Sequence, residues 1–120
     1  MKKILLIEDD ANIRKLVSVN LTARGYTVIE AENGYKGLAR LRAEIPAVLL
    51  LDIKLPDISG WDLLRIVDDD RTYPRVPVIV ITASLGSAWP EHRLYNELRR
   101  VLIKPLDLQE LTSEVEAALS

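Results

Sequence analysis

The chain predicts an α/β fold: a three-layer sandwich in which a five-stranded parallel sheet lies between two layers made of five helices. Two observations carry that expectation. Short, nearly continuous apolar runs rich in Val, Ile and Leu recur along the chain, and stretches with apolar residues at helical spacing separate them. Alternation of this kind requires each strand to return through a helical crossover, which makes the strands parallel and the connections right-handed.

The elements follow in order. Ile4 to Ile7 is apolar without a break, as a strand covered on both faces reads. Ile13, Leu16, Val17 and Leu21 then keep a helical spacing, and Gly25 stops that helix. Tyr26 to Ile29 is the second strand. Leu38, Leu41 and Ile45 mark the second helix, ended by Pro46, and Ala47 to Leu51 is the third strand. Trp61, Leu64 and Val67 give the third helix, and Val78 to Ile81 the fourth strand. Residues 85 to 99 are the least regular: Gly86 and Pro90 interrupt them, while Leu94 and Leu98 point to a short fourth helix. Val101 to Ile103 is the fifth strand. Asp107 then serves as an N-cap for a last helix built on Leu108, Leu111, Val115 and Leu119. No internal repeat, low-complexity tract or linker divides the chain, so residues 1–120 read as one domain.

Composition narrows the function. The chain has 120 residues, enough to bury roughly two thirds of its unfolded surface without staples. It has no cysteine, which excludes disulfide scaffolds, Cys-ligated zinc and thiol chemistry. Sixteen Lys and Arg stand against eighteen Asp and Glu, a mildly acidic balance that argues against a surface for nucleic acid. No apolar run approaches the ~20 residues of a membrane span. The run after Lys2 and Lys3 breaks at Glu8, too soon for a signal-peptide core, so the expected location is the cytoplasm.

In parallel α/β sheets ligands bind beyond the carboxyl ends of the strands. Strand one ends in Glu8-Asp9-Asp10, strand three in Asp52, strand four in Thr82 and strand five in Lys104-Pro105; strand two ends less tellingly, near Glu30 to Glu32. Each group alone has a plainer role. Asp10 fits a turn or helix cap, Asp52 a turn residue, Thr82 a β-branched strand residue and Lys104 a solvated lysine. The combination is what separates the two readings. Two carboxylates ~4 Å apart repel by about 4 kcal/mol at an effective dielectric near 20, so a proton or a cation must sit among them. Hard oxygen donors without His or Cys favour Mg2+, and a lysine beside them can offset charge and bind phosphoryl oxygens. A carboxylate in that setting is suited to accept a phosphoryl group.

Four segments, ILLIEDDANIRKLV, LLLDIKLPDISGWDLL, PVIVITA and LIKPL, in this order and with this spacing of Asp9, Asp52, Thr82 and Lys104, resemble the receiver domain of two-component response regulators across essentially the whole chain. The resemblance implies the flavodoxin-like strand order 2-1-3-4-5. It also implies roles. Asp52 is the expected phosphoacceptor, Asp9 the direct Mg2+ ligand and Glu8 its neighbour reaching the metal through water. Asp52 and the backbone carbonyl of Lys54 complete the protein ligands. Lys104 pairs with the incoming phosphoryl group, Thr82 swings inward to a phosphoryl oxygen, and the small Ala83 leaves room for the donor. The Lys104–Pro105 bond is expected to be cis, and Pro56 and Gly60 fit the loop after the phosphorylated strand. The implied donor is a sensor histidine kinase or phosphotransfer protein, and the implied signal is a change of conformation. The output lies on a partner or on the same longer chain, and homodimers are a family option. Neither nucleic-acid nor membrane binding is expected of the domain itself. Catalysis is confined to its own phosphorylation and dephosphorylation, so it is not an enzyme in the usual sense.

Several positions depart from the family pattern. The aromatic expected three residues before the lysine is Val101, and the chain has no Phe to replace it. Val cannot swing as a ring does. Glu97-Leu98-Arg99-Arg100 stands where many receivers carry Gly-Ala and two acids, and Trp89-Pro90 makes the preceding segment unusual. Lys54 and Ser84 occupy positions that tune dephosphorylation in the family. Asp68 to Asp70 reads as a solvated acidic helix end, and His92 has no ligand companions. These departures keep open an atypical receiver that binds proteins without phosphorylation. A phosphatase of the haloacid-dehalogenase type ranks lower, because the second Asp it needs two residues past the nucleophile is Lys54.

Overall fold

The computed structural model describes residues 2–83 and 97–120. The elements are β1 (Lys3–Ile7), α1 (Ala11–Ala23), β2 (Thr27–Ala31), α2 (Gly34–Glu44), β3 (Val48–Asp52), α3 (Gly60–Asp69), β4 (Val78–Thr82), β5 (Leu98–Ile103) and α4 (Leu108–Leu119). All strand pairs are parallel and the order is β2-β1-β3-β4-β5, as expected. Most of the helix expected over residues 85 to 99 lies outside the described residues, with Ser84, Gly86, Trp89, Pro90, His92 and Leu94. Leu98 is not helical: it opens β5 opposite Val78. Arg100 already faces Ile79, so one extra residue bulges from the ladder at Arg99.

Alternation along the strands builds two cores. Ile4, Leu6, Leu50, Ile79 and Ile81 face α1 and α4, meeting Val17, Leu21, Leu111 and Val115. Leu5, Ile7, Leu49, Leu51 and Val80 face α2 and α3, meeting Leu38, Leu41, Leu63, Leu64 and Val67. A strand with helices on both faces is apolar at every position, which explains why β1, β3 and β4 read as unbroken runs. β2 and β5 are the sheet edges and only half-buried, so the reading of burial on both faces does not extend to them.

Side-chain caps start each described helix: Asp10 accepts from Asn12 and Ile13, Asn33 from Lys36, Ser59 from Asp62, and Asp107 from Gln109 and Glu110. Gly25, at φ +94°, leads out of α1. Two expected core positions turn outward. Leu16 is 52 % exposed, because Val17 and Leu21 define the stripe of α1 that meets the sheet. Ile45 is 66 % exposed, because α2 stops at Glu44 and Ile45 leaves it in the left-handed region at φ 46°. Pro46 follows, and a residue before proline is pushed out of the helical region. The left-handed region is strained for a β-branched side chain.

Candidate functional site

Strand register gathers the site. Ile7 lies opposite Leu51, Asp52 opposite Ile81, and Thr82 opposite Ile103. The residues at and just past these positions therefore leave the sheet side by side. Glu8 is fully buried, Asp52 is 2 % and Thr82 4 % exposed, and Asp9 is exposed. One carboxylate oxygen each from Glu8, Asp9 and Asp52 lies within 4.8 Å of the others. Lys104 places Nζ 2.7 Å from Glu8 Oε1 and 3.1 Å from Asp52 Oδ2. Its side chain is only 17 % exposed, so it is not a solvated surface lysine. The Lys104–Pro105 bond is cis.

Backbone donors orient the acids. Lys54 N–H donates to Asp52 Oδ1 at 3.1 Å, and Asp10 N–H to Glu8 Oε2 at 3.1 Å. Lys104 N–H donates to the Thr82 carbonyl at 2.8 Å, which fastens the end of β5 to the end of β4. Gly60 closes the loop after β3: its N–H donates to Ile53 O at 2.8 Å, and a Cβ there would lie 2.7 Å from the Asp52 carbonyl oxygen.

The electrostatics follow from three carboxylates gathered beside one lysine. Burial raises the Glu8 pKa above its ordinary value and the neighbouring Asp52 carboxyl adds to that, while Lys104 pulls the other way. Asp9, although its side chain is exposed, is raised as well by partial desolvation of its carboxylate and by the neighbouring Glu8. Burial works against the Lys104 ammonium, yet its contacts with Glu8 and Asp52 outweigh it and raise the lysine pKa. Glu8 Oε1, buried, pairs with Lys104 by charge but has no hydrogen-bond partner of proper geometry. An oxygen-only donor set of three converging carboxylates, two of them buried, fits Mg2+. Asp10 stays out of the group and caps α1.

The sequence did not single out Arg14 or Asp57. Arg14 donates through Nη1 to the carbonyls of Glu8 (2.8 Å) and Asp9 (3.1 Å), and its Nε is 3.3 Å from Glu30 Oε1. Asp57 Oδ1 accepts from Gly34 N–H at 2.8 Å and Ile58 N–H at 2.9 Å, and Oδ2 accepts from Tyr35 N–H at 2.9 Å. Burial by itself would raise Asp57; the N–H groups of Tyr35, Gly34 and Ile58 together hold it below the usual carboxylate range. Asp57 stands inside the LPDISG segment, which was a weak pointer; Arg14 had none.

A doubly wound parallel sheet with three convergent carboxylates, a threonine and a lysine at its carboxyl edge places its charged groups where ligands of such folds bind. The family model of the response regulator receiver domain matches residues 4–116, and the chain belongs to that family of two-component systems. It is 34% identical over 120 residues to the DNA-binding dual master transcriptional regulator RpaA of Synechocystis, covering 99% of this chain and 49% of that protein. It is 30% identical to the chemotaxis protein CheY1 of Helicobacter pylori, covering 98% of this chain and 96% of that one. The chain thus spans about half of the first relative and nearly all of the second. A CheY-like receiver domain structure from Methanospirillum hungatei superimposes with TM-score 0.87 at 29% identity, over 99% of this chain and 94% of that one. Among the described residues no helix is long and apolar enough to cross a membrane.

Proposed function

We propose that residues 1–120 form one receiver domain that accepts a phosphoryl group on Asp52 and changes conformation in response. The observation that carries this reading is the convergence of Glu8, Asp9 and Asp52 on one point, with Lys104 held between two of them. In the step proposed, an Asp52 carboxylate oxygen attacks the phosphorus of a phosphohistidine on a sensor kinase or phosphotransfer protein. The O–P bond forms, the N–P bond breaks, and the departing imidazole nitrogen takes a proton. Glu8, Asp9, Asp52 and the backbone carbonyl of Lys54 would hold Mg2+, which when bound neutralises charge on the transferring oxygens. Lys104, already bonded to Asp52, offers its ammonium to the same oxygens. Thr82, at the end of β4, supplies a hydroxyl to a phosphoryl oxygen after transfer. A cytoplasmic setting suits such a donor. The output belongs to a partner or to further chain, as the length of the DNA-binding relative supports.

Acetyl phosphate and Mg2+, read by intact mass, test the reading. Wild type is expected to gain one phosphate, and Asp52→Ala or omission of Mg2+ to abolish it. Failure of wild type to take up phosphate and also to bind beryllofluoride would favour the phosphorylation-independent binding module, which Val101 and the Glu97-Leu98-Arg99-Arg100 segment leave standing.

A further inference from the structure

We propose that the corner between β2 and α2, residues 30–35, is the common anchor that positions both cation-bearing loops, with Arg14 and Asp57 as its two positioning residues. The inference rests on the receiver reading above and extends it to residues that touch neither cation nor phosphate.

The two loops differ in origin but share an anchor. The loop after β1 carries Glu8 and Asp9. Arg14 holds both of their carbonyls from one nitrogen and leans its Nε on Glu30 at the end of β2. Ser18 donates to the other Glu30 oxygen at 3.0 Å, and Glu8 N–H donates to Ala31 O at 3.0 Å. The loop after β3 carries Lys54. Its Asp57 takes the N–H groups of Gly34 and Tyr35 in the first turn of α2. The contact is close-packed: a Cβ on Gly34 would lie 2.5 Å from Ile58 Cγ1.

The ties have a physical task. Three carboxylates face one lysine at this edge, and like charges push their loops apart. Fastening each loop to the same rigid corner opposes that spreading and keeps the donors convergent before a cation arrives. Residues that orient ligands in this way commonly change metal affinity 10–100-fold when lost. Arg suits the first tie because a planar fork reaches two carbonyls and a carboxylate at once, which an ammonium cannot.

The test uses Arg14→Lys, Asp57→Asn and Glu30→Gln, with Arg40→Lys as a control on the Arg40–Glu44 pair within α2, which ties neither loop. Mg2+ affinity is followed by NMR titration, and amide exchange is measured without metal. Arg14→Lys and Asp57→Asn are expected to weaken Mg2+ binding about tenfold. Amide exchange should quicken at residues 9–10 in the first variant and 54–58 in the second. Glu30→Gln should shift affinity the same way with Arg14 intact, and Arg40→Lys should shift nothing. Phosphorylation by acetyl phosphate should need more Mg2+ yet reach a rate within about twofold of wild type at saturation; general destabilisation would instead lower the rate at every Mg2+ concentration. Affinities within about twofold of wild type in both Arg14→Lys and Asp57→Asn would overturn the proposal. Wild type that binds no Mg2+ would overturn the receiver reading beneath it, a distinct result.

Discussion

Glu8 is fully buried against Asp52 and Lys104, and its raised pKa gives one contribution to the pH dependence of the fold whose sign is fixed. Between its ordinary value of 4.5 and its value in the fold, the folded state holds a proton that the unfolded state has released. Stability of the metal-free protein therefore falls as pH rises through that window, and Asp9 acts in the same direction. Asp57 has the opposite sign: its contribution is present above its ordinary 3.8 and lost as pH falls through its lowered value. The raised Lys104 contributes below its ordinary 10.5 and is lost only as pH rises through its value in the fold. A cation favours the ionised acids, so the rise in Tm on adding Mg2+ should grow as pH increases above the ordinary 4.5 of Glu8. Because it is a difference taken at each pH, that increment cancels groups the cation does not touch. Glu8→Gln should flatten it, and an increment independent of pH in wild type would refute the assignment. Of the site, Glu8, Asp9, Asp52, Thr82 and Lys104 were readable because each closes an apolar run. Arg14 and Asp57 were not, because the partners that give them a role are backbone atoms and a carboxylate fixed only by the fold.

α2 lies close on β1 because Gly37 has no side chain there. A Cβ at 37 would stand 2.3 Å from Ile7 Cδ1 and 2.7 Å from Cγ1. Gly37→Ala sets two effects against each other: alanine is the better helix former by about 1 kcal/mol, while overfilling a packed contact costs about 1–3 kcal/mol. The close contact wins, and we expect a net loss of about 1–2 kcal/mol in urea unfolding. Ile7→Val removes the nearest atom, so the double variant should lose less than the two single losses added together. Gly37→Ala at or above wild-type stability would contradict the packing. The same closeness shows what a sequence conveys about elements. β1, β3 and β4 were legible because burial on both faces leaves an unbroken apolar run. β5 was read too short: Arg99 and Arg100 are exposed on an edge strand, and nothing local distinguishes an edge from a loop. Leu16 and Ile45 were read as core because spacing reports a helix's apolar residues, whereas the packed stripe and the last turn are chosen by neighbours and by Pro46.

Across the molecule, the proposed switch at Asp52 has a direct path to the sheet edge through β4 and β5, where Thr82 pairs with Ile103 and its carbonyl accepts from Lys104 N–H. Among the described residues β5 is an edge strand, paired with β4. Val101 packs half-buried against the α2/α3 core opposite Val80, and a β-branched residue there has no ring to carry between inside and outside. Energy limits what Thr82 alone can do. A charge-assisted hydrogen bond contributes about 1.5–3 kcal/mol, whereas moving an equilibrium from 1:99 to 99:1 takes about 5.5 kcal/mol. Either Lys104 and the loop after β4 supply the remainder or the switch is only partial; a phosphoryl group on Asp52 would compete for the ammonium that now bridges Glu8 and Asp52. If saturating beryllofluoride switches wild type to about 99%, loss of about 2 kcal/mol in Thr82→Ala leaves roughly 75–80% switched. Lys104→Ala should fall further. Amide signals along β5 measure these populations directly. A Thr82→Ala protein as fully switched as wild type would remove Thr82 from the path and place the whole conformational change on Lys104 and the loop it holds.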